Sequence, residues 1–283
     1  MHDYNLRIGK AVVSLAFRRE DEALAFEEYF RRPSRPGPGD VRLKVSFRDE
    51  VRGLTEIPNS LFLTKKGDGN GFSVADGLIK GRFSAKSGEG ELVVQAIILE
   101  GNFARIFEQI LYQAYWSAVR RKGLASLLLH SSALVRDGKG YVFTGRSGSG
   151  KSTVAGMGGG AKVLNDEIAA IGESSEGAMS VFDTPFNGFF GAKEEGSAPL
   201  VGIMLLEQAG LHRITRARSA ECVKTLSKEI IPPMGLETPY SPSIYWQMLE
   251  LAEKLCASVP LYRMEFLPDP GFWKCIETME DEA

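Results

Sequence analysis

Residues 140–167, "GYVFTGRSGSGKSTVAGMGGGAKVLNDE", contain the pattern that most constrains the fold. Within this stretch, residues 145–152 fit G-x-x-x-x-G-K-[ST]. In this pattern glycines let consecutive backbone N–H groups face phosphate oxygens, a lysine supplies positive charge, and a hydroxyl ligates Mg²⁺. The apolar "YVF" before the loop predicts a strand, and "STVAGM" after it is compatible with a helix. The sequence therefore predicts a strand, a phosphate-binding loop and a helix, in that order.

The pattern gives a role to most positions of the loop. Lys151 is expected to bring charge to the β and γ phosphates, and Ser152 is the expected Mg²⁺ ligand. The residues expected to bind the nucleotide are Gly145, Arg146, Ser147, Gly148, Ser149, Gly150, Lys151, Ser152 and Thr153. The cofactors that this loop predicts are ATP and Mg²⁺.

An acidic pair, Asp166 and Glu167, follows the loop closely. Three glycines at 158–160 are expected to end the intervening helix early, so that the chain returns in the short strand "KVL". A hydroxyl nucleophile must lose its proton during phosphoryl transfer, and one carboxylate of such a pair suits that task while the other faces metal. Asp183, after the strand signal "MSVF", is the alternative, as the Mg²⁺ aspartate of a conventional P-loop ATPase or GTPase. No guanine-specifying N-K-x-D occurs.

His130 ends the strand signal "LASLLLH", which precedes the strand of the loop. The Asp-Gly of "DGKG" predicts a tight hairpin between these two strands. In that hairpin His130 would reach the acidic pair and, when protonated, favour an ionised carboxylate. A purely structural role is the alternative interpretation of a lone histidine.

Near residue 100 the pattern of apolar residues changes from strand-like segments to helical spacing, which predicts two domains. Residues 1–100 are expected to form a β-rich domain with an antiparallel meander, and residues 101–283 a domain with a mixed sheet and helices. Apolar residues from Phe103 to Val119 at helical spacing predict a helix linking the two. The acidic tail "ETMEDEA" is expected to be solvated. The predicted strands lie at 5–17, 40–47, 60–65, 71–86, 91–99, 124–136, 140–145, 163–164, 178–183, 200–207 and 261–267, and further helices at 20–31 and from Ser241-Pro242.

Composition excludes several classes of function. The chain of 283 residues has a formal net charge of −2, 43% hydrophobic residues and 25% charged residues, so no global field attracts nucleic acid or an anionic membrane. The apolar stretches are far shorter than the roughly 20 residues that cross a bilayer, and no signal peptide is recognisable, so a cytoplasmic protein is expected. Three separated cysteines and three histidines do not suit a zinc site.

The string "LHSSALVRDGKGYVFTGRSGSGKST", residues 129–153, continued by "AKVLNDE", resembles the catalytic domain of bacterial HPr kinase/phosphorylase and the wider group of HPr-kinase-like proteins. The family shows the same order of histidine, strand, short turn, strand, phosphate loop, short helix and acidic pair. The resemblance implies an α/β (α+β) fold, with a mixed-sheet P-loop kinase domain similar to the nucleotide domain of phosphoenolpyruvate carboxykinase and a small β-rich N-terminal domain. It extends to peptide-tailoring enzymes that phosphorylate a serine of a ribosomally made peptide, such as a lasso peptide.

Carried over position by position, the resemblance implies roles for individual residues. Lys151 and Ser152 would bind triphosphate and Mg²⁺, and Asp166 would be the general base for a seryl hydroxyl. Glu167 occupies the second acidic place, where the family usually has Asp, and would bind metal. His130 matches the histidine that contacts the catalytic acid. The Pro- and Arg-rich loop that serves phosphorolysis and HPr docking in the family has no recognisable counterpart.

The sequence therefore predicts an ATP- and Mg²⁺-dependent kinase that acts on a serine-type hydroxyl of a peptide, protein or small molecule. The alternatives are a conventional P-loop ATPase or GTPase using Asp183, and a nucleotide-binding regulatory module without chemistry. Nucleic-acid and membrane partners are not expected. The β-rich domain is expected to hold a leader peptide, to pair subunits in a homo-oligomer, or to cover the kinase domain. Lys193, in a glycine-containing loop, is a further candidate for contact with substrate.

Overall fold

The computed structural model describes residues 1–48, 63–64, 71–75, 78–100, 104–186, 188, 194–232 and 242–281. It is a mixed α/β structure whose chain divides into two compact units. The first comprises Met1–Leu124 with Pro232–Ile244, and the second comprises Ala125–Ile231 with Tyr245–Ala283. Within the described ranges, none of the helices has the length and apolar character needed to span a bilayer.

The first unit is rich in strands, as the sequence predicts. The predicted helix at 20–31 is confirmed, whereas the strand signals at 5–17 and 71–86 each divide into two strands. The predicted strand at 60–65 lies mostly outside the described residues. The described elements are β1 (His2–Ile8), β2 (Ala11–Phe17), α1 (Glu20–Phe30), β3 (Val41–Arg48), β4 (Leu63–Thr64), β5 (Gly71–Ala75), β6 (Ile79–Ser84), β7 (Glu89–Gln95), a 3₁₀ turn (Ala96–Leu99) and α2 (Ala104–Arg121).

The sheet of the first unit is mixed, with the strand order β1-β2-β3-β7-β6-β5-β4. Its centre is parallel, because β3 pairs in parallel with both β2 and β7. Helix α1 carries the chain from the end of β2 back to the start of β3, and a crossover of this kind makes the joined strands parallel. The predicted antiparallel meander is therefore wrong at the centre of the sheet. It is confirmed for the run β7-β6-β5-β4.

Aromatic side chains fill the core of the first unit. The ring centroids of Phe17 and Phe26 are 4.9 Å apart, and Phe26 meets Phe107 of α2 edge to face at 5.0 Å. Helix α2 therefore packs onto this sheet rather than linking two domains. For this reason the division of the chain falls after Leu124, whereas the sequence placed the boundary after residue 100.

The second unit contains the phosphate loop. The predicted strands of this half correspond to β8, β9, β10, β12, β13 and β15, whereas β11, β14, α4 and α6 were not predicted. The predicted cap Ser241 of α5 lies outside the described residues. The described elements are β8 (Ser126–Arg136), β9 (Lys139–Thr144), α3 (Lys151–Gly156), β10 (Lys162–Asn165), β11 (Ile168–Glu173), β12 (Met179–Phe182), β13 (Ser197–Gln208), β14 (Arg213–Arg216), α4 (Ser219–Glu229), α5 (Pro242–Ser258), β15 (Leu261–Phe266) and α6 (Phe272–Asp281).

Two long strands, β8 and β13, connect the strands of the second unit. The first half of β8 pairs with β11 and the second half with β9 and β10, all antiparallel. Strand β13 pairs antiparallel with β12 and parallel with β9 and β15. The parallel strands β9, β13 and β15 thus end at one edge of the sheet, where open α/β sheets bind their ligands. The phosphate loop leaves β9 at this edge.

The turn between β8 and β9 follows the Asp-Gly prediction. Asp137 and Gly138 have φ of 53° and 75°, the left-handed pair that a type I′ hairpin requires. Arg136 and Lys139 face each other across this turn. The turn therefore fixes the register in which the two strands pair.

The acidic end of the described chain belongs to a packed helix. Phe272, Trp273 and Ile276 of α6 are buried, and Glu280 accepts hydrogen bonds from Lys139 and the Tyr141 hydroxyl, both at 2.5 Å. The sequence did not predict this helix. Its inner face is apolar, whereas Glu277 and Thr278 on its outer face are exposed, as expected for a solvated end.

The glycines at 158–160 turn the chain from α3 into β10. Helix α3 ends at Gly156, and Gly159 and Gly160 have φ of 58° and 89°, where a side chain would introduce strain. The indole N–H of Trp273 donates to the carbonyl oxygen of Gly158 at 3.1 Å. The predicted early end of the helix is confirmed, and Trp273 supports the turn that follows it.

We expect Trp273→Phe to lower the free energy of unfolding by about 1 to 3 kcal/mol, because it removes the bond to Gly158 and leaves space beside a buried ring. Trp246→Phe is the matched control. Its ring is 64% exposed, and the expected change is below about 0.5 kcal/mol. Urea unfolding followed by far-ultraviolet circular dichroism measures both variants, and equal losses would contradict the role given to Trp273.

Candidate active site

Three glycines in the loop between β9 and α3, the predicted phosphate loop, have positive φ angles. Gly145, Gly148 and Gly150 have φ of 150°, 79° and 104°, which residues with side chains adopt only with strain. A Cβ on Gly150 would also lie 2.6 Å from the ring of Phe266, at the end of β15. Glycine is therefore required where the loop turns into the helix.

The predicted nucleotide-binding residues differ in accessibility. Arg146, Ser147, Gly148 and Thr153 are exposed, Gly150 and Ser152 are half-buried, and Gly145, Ser149 and Lys151 are buried. Within the described part of the chain, the buried hydroxyl of Ser149 has no hydrogen-bond partner. Buried polar groups normally have such a partner, and a phosphate oxygen in the loop would supply one. The residues present therefore fit a bound phosphate.

The ammonium group of Lys151 lies against the carbonyl groups of its own loop. Its Nζ donates to the carbonyl oxygen of Gly145 at 2.7 Å, and the residue is only 8% exposed. Burial lowers the pKa of Lys151, and the negative charges of Glu229 and Glu167 partly offset that effect. A phosphate group entering the loop would give this buried cation a closer counter-charge and stabilise its protonated form.

The acidic pair lies in a tight turn between β10 and β11 that Asn165 organises. The Asn165 Oδ1 accepts the N–H of Glu167 at 2.7 Å and that of Ile168 at 2.6 Å, while its Nδ2 donates to the Thr184 hydroxyl at 2.7 Å. Asp166 is fully buried, and the side chain of Glu167 is partly exposed. Asn165, whose role the sequence did not reveal, therefore holds the turn from which both carboxylates project.

A main-chain segment beyond β12 covers the carboxylate of Asp166. The N–H of Gly188 donates to the Asp166 Oδ1 at 3.2 Å. A Cβ on Gly188 would lie 2.6 Å from the Asp166 Cγ, so only glycine lets the backbone approach this closely. The predicted general base is therefore enclosed beneath Gly188. Lys193, further along the same segment, lies outside the described residues.

Two consecutive serines of β8 bring the phosphate loop and the acidic turn together. The buried hydroxyl of Ser132 donates to the carbonyl oxygen of Lys151 at 2.7 Å and lies 3.4 Å from the carbonyl oxygen of Asp166. The N–H of Ser131 donates to the carbonyl oxygen of Glu167 at 3.0 Å. The sequence did not reveal either role, because small polar residues in a strand form no recognisable motif.

His130 lies between two carboxylates, beside the acidic pair. Its Nε2 is 3.7 Å from the Glu167 Oε1, and its Nδ1 is 3.3 Å from the Glu229 Oε2. Its carbonyl oxygen accepts the hydroxyl of Thr144, at the end of β9, at 2.9 Å. The site therefore contains an additional carboxylate, Glu229, which comes from the end of α4 and belongs to no sequence motif.

Asp183, the alternative Mg²⁺ aspartate, is buried at the end of β12. Its N–H donates to the carbonyl oxygen of Gly196 at 3.0 Å, and its Oδ1 accepts the N–H of Gly196 at 3.1 Å. These reciprocal bonds join the two ends of the segment that carries Gly188. Asp183 therefore has a structural role in closing this segment.

Comparison with known proteins finds likeness among solved structures but no match in sequence. No family model and no curated protein matches the chain. Among solved structures, the Hpr(Ser) kinase/phosphatase from Coxiella burnetii matches with 13% sequence identity and a TM-score of 0.31, over 55% of this chain and 97% of that chain. Similarity at this level does not establish a family, so function must be inferred from the geometry of the site.

The lowered pKa of Lys151 predicts a pH dependence of anion binding. Tripolyphosphate should bind less tightly as the pH rises, with the decline beginning below the ordinary lysine value of 10.5, because Lys151 loses its proton early. In Lys151→Arg the positive charge persists above about pH 12, so this decline should disappear. Isothermal titration calorimetry between about pH 7 and pH 10 measures both.

Lys162→Arg is the matched control for this experiment, because Lys162 lies on β10 and donates to the carbonyl oxygen of Glu195. This variant should keep the decline of the wild-type protein. Identical pH dependence in the wild-type protein and in Lys151→Arg would show that Lys151 does not contact the anion.

The close approach of Gly188 to Asp166 predicts a steric effect. Gly188→Ala should lower the free energy of unfolding by about 1 to 3 kcal/mol, because the new methyl group overlaps the carboxylate. The same change should cost less in an Asp166→Ala background, where the overlapping oxygens are absent. Gly210→Ala, where a Cβ meets no atom within 4 Å, is the control. Urea unfolding of the wild-type protein, both single variants, the double variant and the control measures these costs, and a cost of Gly188→Ala that does not depend on residue 166 would contradict the contact.

Proposed function

We propose that the chain is an ATP- and Mg²⁺-dependent kinase that transfers the γ-phosphoryl group to a serine-type hydroxyl of a peptide, protein or small molecule. The observation that carries the proposal is the position of the Ser132 hydroxyl, which bonds the carbonyl group of Lys151 and faces that of Asp166. The main chain of the predicted phosphate loop and the main chain of Asp166 thus approach the same hydroxyl group, which supports a shared site. A hydroxyl kinase needs both groups within reach of one phosphate.

In this proposal the loop holds the phosphates through its backbone N–H groups, the ammonium of Lys151 and the hydroxyl of Ser149. Bound ATP would supply the transferable phosphoryl group, and its Mg²⁺ would offset negative charge on the phosphates. Ser152 and Glu167 are the residues that would hold the ion. Across the described ranges, no group of three or more His, Cys, Asp and Glu side chains has an arrangement that could hold a metal ion by itself. This suits Mg²⁺, which proteins commonly bind through one or two side chains together with the phosphates of the substrate.

Asp166 is the proposed general base. Its carboxylate is fully buried, and the Gly188 N–H is a partner of Oδ1. An acceptor hydroxyl would take the place of this N–H and donate its proton to Oδ1 as the new bond to phosphorus forms. The enclosed position limits the access of water, which favours transfer to the acceptor over hydrolysis.

A conventional ATPase or GTPase that uses Asp183 is the alternative. The bonds between Asp183 and Gly196 give this carboxylate a structural task, whereas Asp166 adjoins the bridge made by Ser132. This difference favours Asp166 as the reacting group. A regulatory module that binds a nucleotide without reacting is the further alternative. Such a module would use only the predicted phosphate loop, and the acidic turn would have no role in it.

We expect Asp166→Asn to bind ATP with unchanged affinity but to transfer phosphoryl groups about 10²- to 10⁴-fold more slowly, because the amide cannot accept the proton. Asp183→Asn is the matched control, since its amide oxygen still accepts the N–H of Gly196. Radiolabelled γ-phosphate of ATP is followed into free L-serine, a mixture of serine-containing peptides, and water. Nucleotide binding is measured separately by calorimetry.

The outcomes separate the functions. Transfer to an acceptor that is lost in Asp166→Asn and kept in Asp183→Asn supports the kinase. Release of label to water alone, abolished in Asp183→Asn, would indicate the conventional ATPase. Binding without turnover by the wild-type protein toward any of these acceptors would favour the regulatory module.

A further inference from the structure

Glu229 reaches the site from the end of α4, and main-chain bonds fix its position there. The next residue, Ile230, pairs with Leu129 of β8, and the N–H of Ile231 donates to the carbonyl oxygen of Leu128 at 2.8 Å. The chain leaving α4 therefore extends along β8 immediately beside His130. Glu229 is held next to this histidine by backbone contacts rather than by its own side chain.

The Glu229 carboxylate is well placed to orient the imidazole of His130. Its Oε2 is 3.3 Å from Nδ1, the closer of the two carboxylate contacts of the ring, and its side chain is only 13% exposed. The opposite nitrogen, Nε2, faces the Oε1 of Glu167 at 3.7 Å. When one ring nitrogen bonds a carboxylate, it keeps its proton and leaves the other to interact elsewhere.

We propose that Glu229 is a positioning residue for His130: its carboxylate holds the proton on Nδ1 and fixes the ring so that Nε2 points at Glu167. This inference rests on the proposed kinase function for its effect on activity. Carboxylate groups behind a histidine commonly set its orientation in this way, and their loss changes activity by about 10- to 100-fold. A second proton, on Nε2, would place positive charge next to the Glu167 carboxylate.

Removal of the carboxylate is expected to leave the fold intact. Helix α4 is held by its buried residues Cys222 and Leu226 and by the main-chain bonds that follow Glu229. Glu221, near the start of the same helix, pairs with Arg263 instead. Glu221→Leu therefore provides a matched control for Glu229→Leu, because both variants replace a glutamate of the same helix by leucine.

The first experiment measures the ring itself and does not depend on activity. The protein is labelled with ¹⁵N-histidine, and the nitrogen shifts of His130 are recorded at an alkaline pH at which imidazoles are neutral, with His130→Phe used for assignment. We expect the proton on Nδ1 in the wild-type protein, in Glu221→Leu and in Glu229→Gln, whose amide oxygen still accepts. In Glu229→Leu we expect a mixture of tautomers. The same tautomer in Glu229→Leu as in the wild-type protein would overturn the proposal.

The second experiment measures ATP-dependent phosphoryl transfer. Glu229→Leu should lower kcat by about 10- to 100-fold with little change in the KM for ATP, while Glu229→Gln and Glu221→Leu should retain most of the activity. In a His130→Phe background, Glu229→Leu should cause no further loss, because its effect acts through the ring. Full activity in Glu229→Leu, or losses that add, would contradict the proposal. If the wild-type protein transfers no phosphate, the kinase function fails, and the nitrogen shifts alone decide the role of Glu229.

Discussion

The bond from the Ser132 hydroxyl to the carbonyl group of Lys151 is the contact on which the arrangement of the site depends. A buried hydroxyl must find an acceptor, and hydrogen bonds away from water resist disruption more than those at the surface. Because this hydroxyl also lies near the carbonyl oxygen of Asp166, one atom of a third segment contacts both the predicted phosphate loop and the acidic turn. Strand β8, which carries the hydroxyl, is itself paired on both sides.

Charge is distributed across the site in a way that suits an enclosed space. The ammonium of Lys151 is buried, and its pKa is lowered by that burial despite the nearby carboxylates of Glu229 and Glu167. The loop carbonyl of Gly145 accepts a hydrogen bond from this ammonium group. A phosphate bound in the loop would offer the lysine a charged and therefore stronger acceptor.

Features set by neighbouring residues could be predicted from the sequence, whereas those set by tertiary pairing could not. The order of strand, loop and helix around residues 145–152 and the early end of α3 were predicted, because the glycines act on their own backbone. The tight hairpin before the loop was predicted for the same reason. Glu229 was missed because its role arises only when the chain after α4 pairs with β8. Asn165, Ser132 and Gly188 were missed because a polar or small residue gives no signal until its partners are known.

The parallel centre of the first sheet is another feature that tertiary pairing sets and that the sequence did not predict. Helix α1 was predicted correctly, but the parallel direction of the strands that it joins was not. Strand direction depends on which strands pair in the folded sheet, and local sequence preference does not determine that pairing. Helix α6 was missed for a related reason. Its acidic residues dominate the local sequence, and the buried face made by Phe272, Trp273 and Ile276 becomes evident only when the helix packs on the sheet.

The double pairing of β8 also limits how this chain can vary during evolution. Alternate residues of a strand face opposite sides, so inserting or deleting one residue within β8 would exchange the sides on which Ser131 and Ser132 lie. The strands that pair with β8, which are β9, β10 and β11, would all have to change register at the same time. Relatives of this chain should therefore keep β8 at a constant length, and differences in length should fall outside this strand.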